Sequence, residues 1–192
     1  MDDCYEVYAV KYARKLDRFR RDNFIVADAH DTPMPMDYFV WAIVNRERTI
    51  VVDAGFNHAE GAQRGREVLR LPREGLALLG VDAAQVRDVV VTHLHYDHAG
   101  TLEDFPNARF HLNDREMAHA TGRMMGSATF RRPYTVDHVC QMVRAVYEAR
   151  VVFHAGEQRI APGISVHHIG GHTGRYRGAA ARAAATDVRG WR

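Results

Sequence analysis

Apolar and polar residues alternate from Tyr5 to Ala13 and again in "YFVWAIVN", Tyr38 to Asn45. That two-residue period predicts half-buried strands. "TIVVDAGF", Thr49 to Phe56, opens with a third strand that ends at Gly55, and the intervening "NRER" predicts a hairpin. Between the first two strands, "ADAHDTPMPMDY" carries two prolines and several turn formers, so it reads as a surface loop. Ala59 to Leu71 predicts a helix stopped by Pro72. "EGLALLGVDAAQVRDVVVTH" then reads as helix, break at Gly80, a helical turn capped by Asp82, and a strand. The unbroken apolar run from Val89 to Val91 suits a strand covered on both faces.

Further on, "TLEDF" predicts a short helix, "ARFHLN" a strand and "DREMAHATGR" a helix. "TVDHVCQMVRAVYEAR" places Val136, Val139, Val143, Val146 and Tyr147 at helical spacing, with Thr135 as the cap. "RVVFH" and "GISVHHIGG" predict two more strands. Paired strands first and helices between later strands point to a layered α/β domain. From Gly174 onward, "GRYRGAAARAAATDVRGWR" loses this periodicity, and its Arg, Ala and Gly offer little apolar face to bury. The expectation for residues 174–192 is an aberrant tail without packed structure, after an incomplete domain at 1–173.

Composition narrows the function without choosing it. A chain of 192 residues, 46% hydrophobic and 26% charged, is sized for one core. A formal charge of +2 gives no reason to expect nucleic acid, and no apolar run reaches membrane-spanning length. The start "MDDCYEVYAVKYARK" does not read as a signal peptide, and Cys4 and Cys140 lack motif spacing. These features predict a cytoplasmic protein with ordinary thiols; they say nothing of oligomeric state.

The chemistry concentrates in "VVVTHLHYDHAG", where His93, His95, Asp97 and His98 fall within six positions after the apolar run. Zinc takes imidazole nitrogens and carboxylate oxygens at short range, so its ligands must converge. In an extended segment His93, His95 and Asp97 share a side, and His98 turns toward a second point if the chain bends before Gly100. Four such groups beside a buried strand are costly without partners or a metal. Asp53, at a strand end, suits either holding a ligand from behind or capping a turn. His172 follows two glycines that let the backbone bring its ring close to a site. Tyr96 reads as a packing residue, and His111, His119, His138 and His154 as structural or exposed.

"TIVVDAGF", "THLHYDHAG" and "IGGHTG", in this order and spacing, resemble the metallo-β-lactamase superfamily over Tyr5 to Thr173. "MDYFVWAIVN", the tyrosine of "HLHYDH" and "GGHT" look most like the N-acyl-homoserine lactonase group, whose members are quorum-quenching hydrolases. The resemblance implies an αββα sandwich with two zinc ions at one edge of the sheets. His93, His95 and His172 would bind the first zinc, and Asp97 and His98 the second. Asp53 would organise the loops around them, and Asp97 would also orient the nucleophile as the catalytic carboxylate. The implied reaction is opening of a small-molecule lactone; a thioester, β-lactam or phosphodiester is the alternative substrate.

After His172 the superfamily pattern calls for an aspartate bridging both metals and a last histidine, and the lactonase group adds a substrate-contacting tyrosine. Asp187 is the only later acidic residue, with no strand before it, and no histidine follows His172. The expectation is therefore a sandwich lacking its C-terminal part, by a shift of reading frame near Gly174, with an open sheet edge and uncovered apolar surface. At most one zinc should be held tightly, because Asp97 and His98 alone are too few for the second. A truncated, non-catalytic zinc-binding fragment is the competing reading.

Overall fold

The computed structural model describes residues 4–24, 26, 29–169 and 177–181. Its spine is a seven-stranded sheet of β1 (Glu6–Lys15), β2 (Met36–Val44), β3 (Thr49–Val52), β4 (Glu67–Val68), β5 (Asp88–Val90), β6 (Arg109–Asn113) and β7 (Val151–His154). The spatial order is β4-β1-β2-β3-β5-β6-β7. β1, β2 and β3 pair antiparallel, whereas β3, β5, β6 and β7 run parallel. A second sheet holds β8 (Gln158–Ala161), β9 (Ile164–His168) and β10 (Arg177–Ala181) in the order β10-β9-β8.

Strand alternation divides the interior in two. Tyr38, Val40 and Ala42 of β2, Val51 of β3, Val89 of β5, and Phe110 and Leu112 of β6 face one way. Of the helices α1 (His58–Gln63), α2 (Pro72–Ala77), α3 (Tyr96–Ala99), α4 (Asp114–Ala120), α5 (Ala128–Arg131) and α6 (Val136–Tyr147), they pack against α2 through Leu76, α3 through Ala99, α4 through Ala120 and α6 through Val139, Met142 and Ala145, while every residue of α5 is exposed. The intervening residues Ile43, Ile50, Val52 and Val90 face the other way and meet Ile164 and Val166 of the second sheet. Each such valine, leucine or isoleucine contributes about 1.5–3 kcal/mol by leaving water. Helix, sheet and sheet thus stack in the order expected of this α/β fold.

Phe39 and Trp41 of β2 are 37% and 43% exposed, and Val7 of β1 is 42% exposed. Their register, Val7↔Ile43, Ala9↔Trp41 and Lys11↔Phe39, puts them on the second-sheet face.

Four details depart from the sequence-based expectations. The helix expected from Ala59 to Leu71 stops at Gln63, because Gly65 turns at φ 63° and Val68 then pairs with Ala13 as edge strand β4. Pro72 starts α2 as well as blocking what precedes it, since its ring fixes a helical φ and it lacks only an N–H that the first turn leaves unused. On α6 the buried stripe is Val139, Met142 and Ala145; Val136 and Tyr147 are 71% and 90% exposed. Residues 177–181, expected to lack packed structure, pair antiparallel with β9, and Ala179 and Ala181 rest on the second core.

Candidate metal centre

The parallel strands β3 and β5 end side by side, and the loops that leave them build the site. Asp53 follows β3 with φ 64°, a left-handed conformation that Asp tolerates better than most residues. Its N–H donates to Val90 O at 2.8 Å, and its carboxylate turns under the next loop. Asp53 Oδ1 accepts from Thr92 N at 2.8 Å and Thr92 Oγ1 at 2.9 Å, while Oδ2 accepts from His98 Nδ1 at 2.7 Å. The two loops are then stitched by Ala54 N to His98 O at 2.8 Å and Gly100 N to Gly55 O at 2.7 Å. A Cβ on Gly100 would stand 2.6 Å from Tyr96 O and 2.7 Å from Gly55 O, so only glycine permits this approach.

His93, His95 and His98 come together above this floor. The ring of His93 lies 3.9 Å from that of His98 and 4.4 Å from that of His95, centroid to centroid. His98 Nε2 is 3.5 Å from Asp97 Oδ2. The extended geometry expected for this segment is not adopted: β5 ends at Val90, and Asp97 and His98 lie in the short helix α3. His93 therefore neighbours both other rings instead of pairing with His95 alone. His172 lies outside the described residues.

Hydrogen bonding assigns the imidazole tautomers. His98 donates Nδ1–H to Asp53, and His93 sets Nδ1 3.0 Å from Thr92 Oγ1, whose own hydrogen goes to Asp53. Both arrangements commit Nδ1 and leave Nε2 as the nitrogen at which a metal would take the place of a proton. Burial disfavours the His98 imidazolium, but the carboxylates of Asp53, Asp97 and Glu116 outweigh it and raise its pKa to about 9. Cation-seeking character is thus built in around this ring. Nitrogen and carboxylate donors of this kind fit zinc. Among the described residues, however, no three His, Cys, Asp or Glu side chains already close around a single point.

Asp53, which the sequence left open between holding a ligand and capping a turn, holds His98. Tyr96 packs as expected, its ring 5.4 Å from that of Phe56 and its hydroxyl 3.3 Å from Tyr38 Oη. Burial, with the charge of Asp97, pushes its phenol well up, so it stays neutral. Tyr12, buried beneath, donates its hydroxyl to Asp97 O at 3.0 Å. Sequence reasoning missed Glu116. This wholly buried carboxylate of α4 accepts Leu94 N and the Tyr134 hydroxyl, both at 3.0 Å, and so fixes the backbone between His93 and His95. Its signal was an acidic residue four positions before Ala120, on the buried side of the helix.

His111 and His154, expected to be structural or exposed, are buried away from this site. Their rings stack at 13°, with His111 Nδ1 2.9 Å from His154 Nε2 and His111 Nε2 2.9 Å from Asp88 Oδ1. The hydrogen bond from His111, against the effect of burial and with help from Arg109, lowers the Asp88 pKa.

Residues 34–175 match the metallo-beta-lactamase superfamily. The chain belongs to that superfamily. Among curated proteins it is similar to the N-acyl homoserine lactonase AiiB of Agrobacterium fabrum, 31% identical over 120 residues, which is 62% of this chain and 43% of that protein. It is also similar to the N-acyl homoserine lactonase AttM of Azorhizobium caulinodans, 48% identical over 42 residues, or 22% of this chain and 16% of that one. The chain therefore spans less than half the length of these two curated relatives. Among solved structures, a quorum-quenching N-acyl homoserine lactone lactonase superposes with TM-score 0.72 at 15% identity, covering 93% of this chain and 68% of that one. An N-acyl homoserine lactone hydrolase with N-hexanoyl-L-homoserine at its catalytic metal centre gives 0.70 at 16%, covering 95% and 72%. At that identity the likeness establishes the metallo-β-lactamase fold. Among the described residues, no helix is long and apolar enough to cross a membrane.

Proposed function

We propose that this metallo-β-lactamase chain carries a zinc-dependent hydrolytic site that opens a lactone ring of the N-acyl homoserine type, a quorum-quenching activity in the cytoplasm. The observation that carries the reading is the His93–His98 cluster, with Nδ1 of both rings engaged by Thr92 and Asp53. His93, His95 and His172 would hold one zinc, with Asp97 and His98 facing a second. Lewis acidity toward an ester carbonyl is what zinc brings to such a site when bound. The residues of this chain do the remaining work. Asp53 keeps Nε2 of His98 basic, Glu116 holds the His93–His95 backbone in place, and Asp97 orients the attacking oxygen and accepts its proton at a carboxylate oxygen. Cys4 and Cys140 remain thiols, in keeping with a reducing compartment.

Purified chain loaded with zinc should release acid from acyl-homoserine lactones in a pH-stat, and His93→Ala should abolish the release. Turnover of thioesters, β-lactams or phosphodiesters with lactones untouched would refute the lactone assignment. The rival reading is a zinc-binding protein without turnover, which would leave every one of these substrates untouched. Under either reading metal analysis should find one tightly held zinc, and two per chain would contradict the ligand assignment.

A further inference from the structure

Beside the cluster lies an open cleft of about 850 Å³ whose wall includes Tyr96, the residue between His95 and Asp97. Six cationic side chains line it: Lys15, Arg18, Arg21, Arg64, Arg66 and Arg132. Only two carboxylates, Asp17 and Asp22, share that lining. The imbalance contrasts with a net charge of +2 for the whole chain.

Some of this charge is already answered. Lys15 pairs with Asp17 at 2.8 Å, Arg21 pairs with Asp31, and Arg64 pairs with the buried Glu60 at 2.5 Å. Arg64 is held further by Arg132 O, Tyr134 O and Thr135 Oγ1, and its guanidinium lies 3.9 Å over the Tyr96 ring. Thr135, expected as the α6 cap, donates its hydroxyl to Glu60 at 2.7 Å and so helps seat this arginine. Arg18 meets neutral oxygens of Asn23 and Asp22. Arg66 likewise touches only neutral oxygens, donating to Tyr96 Oη at 3.2 Å and Arg64 O at 2.6 Å. Among the described residues neither Arg66 nor Arg132 has a carboxylate within ion-pair distance. Asp17 acts on Arg66 only at longer range, so two guanidiniums without a direct ion pair, in a concave wall crowded with like charge, repel one another less when an anion enters.

We propose that this cleft is an anion-binding site that takes a carboxylate or phosphate group, with Arg66 and Arg132 as its principal donors. Resting on the hydrolase reading above, it makes the preferred substrate a lactone whose acyl chain carries a negatively charged group remote from the bond that is cut. Arg66 is the specificity-determining residue, because its bond to Tyr96 ties the anion site to the segment that carries the histidines.

Direct binding tests this without turnover. Inorganic phosphate and succinate are titrated calorimetrically into the full chain at low ionic strength. Saturable binding is expected, weakened at least fivefold by Arg66→Gln and by Arg132→Gln, and unchanged by the remote exposed Arg159→Gln. Arg132 is exposed, so its replacement leaves the thermal midpoint unaltered and keeps the test valid if Arg66→Gln loosens the loop. The tighter of the two anions identifies the substrate's charged group. No saturable binding of either anion, or equal weakening by Arg159→Gln, overturns the site. Anion binding without lactone turnover leaves the cleft assignment standing and removes the lactone reading; turnover without anion binding does the reverse.

Discussion

Replacing Asp53 separates its two duties, holding a strained loop and fixing an imidazole tautomer. In Asp53→Asn the side chain keeps an acceptor for Thr92 N and Thr92 Oγ1, now 2.8 and 2.9 Å from Oδ1. An asparagine also accepts the φ of 64° readily. The folding cost is the difference between charged and neutral hydrogen bonds, about 1 kcal/mol. Asp53→Ala adds left-handed strain of about 1–2 kcal/mol and orphans the buried Thr92 N–H at about 1–3 kcal/mol. It should therefore lose about 2–5 kcal/mol in urea unfolding followed by tryptophan fluorescence.

Metal affinity should behave differently. The side-chain amide nitrogen introduced by Asp53→Asn would face His98 Nδ1, across the 2.7 Å now spanned by a carboxylate bond, and would donate to it. Nε2 of His98 then carries the hydrogen and stops being a ligand. Removing such a supporting carboxylate costs about 10- to 100-fold in metal affinity. Competition with a chromophoric chelator should show that loss in Asp53→Asn at nearly wild-type stability. Unchanged zinc affinity in Asp53→Asn, or equal stability of the asparagine and alanine variants, would refute the assignment of these roles.

Glu116→Gln keeps an acceptor for Leu94 N and should fold, whereas Glu116→Ala leaves that N–H and a void behind, losing about 2–4 kcal/mol in urea unfolding. Gly100→Ala forces a methyl against two carbonyl oxygens at 2.6 and 2.7 Å, and the thermal midpoint should fall by several degrees; an unchanged midpoint would mean the loops are not stitched as described. Asp88 has a depressed folded pKa, so its contribution is present above its unfolded value of about 3.9 and disappears as pH falls through the folded value. Asp88→Asn should therefore cost stability at neutral pH and converge with the parent below about pH 4 in acid titration; a gap that persists there would contradict the hydrogen bond from His111 as its cause.

The histidine cluster was legible because its signal is local. Three histidines and an aspartate directly after Val89–Val91 need no knowledge of distant contacts, and the strand's parallel pairing merely aims them. β1, β2 and β3 were legible for the same reason, since each carries its own two-residue period or apolar run. What failed depended on partners far along the chain. β4 is two residues whose identity as a strand exists only in pairing with Ala13 and Arg14. β10 draws its order from β9 and needs only small side chains against Ile164 and Val166, so its alanines carry no periodic mark. The α6 stripe was misjudged because Val136 and Val146 are apolar at helical spacing, yet the sheet below meets Met142 and Ala145.

Polar residues show the same limit more sharply, and there it bears on function. Asp53 and Glu116 are both carboxylates bonded to the backbone of the histidine loop, one from the end of β3 and one from α4. In sequence they stand 40 positions before His93 and 23 after it, among ordinary acidic residues. Their burial, 4% and 0% exposed, is what distinguishes them, because an unpartnered carboxylate there would cost several kcal/mol. Two such groups gripping one short loop imply that its rigidity is selected at some expense to folding. A loop whose only duty was to join β5 to α3 would be served by neutral side chains, so the carboxylates are best accounted for by the positive charge that the imidazoles above them are arranged to hold.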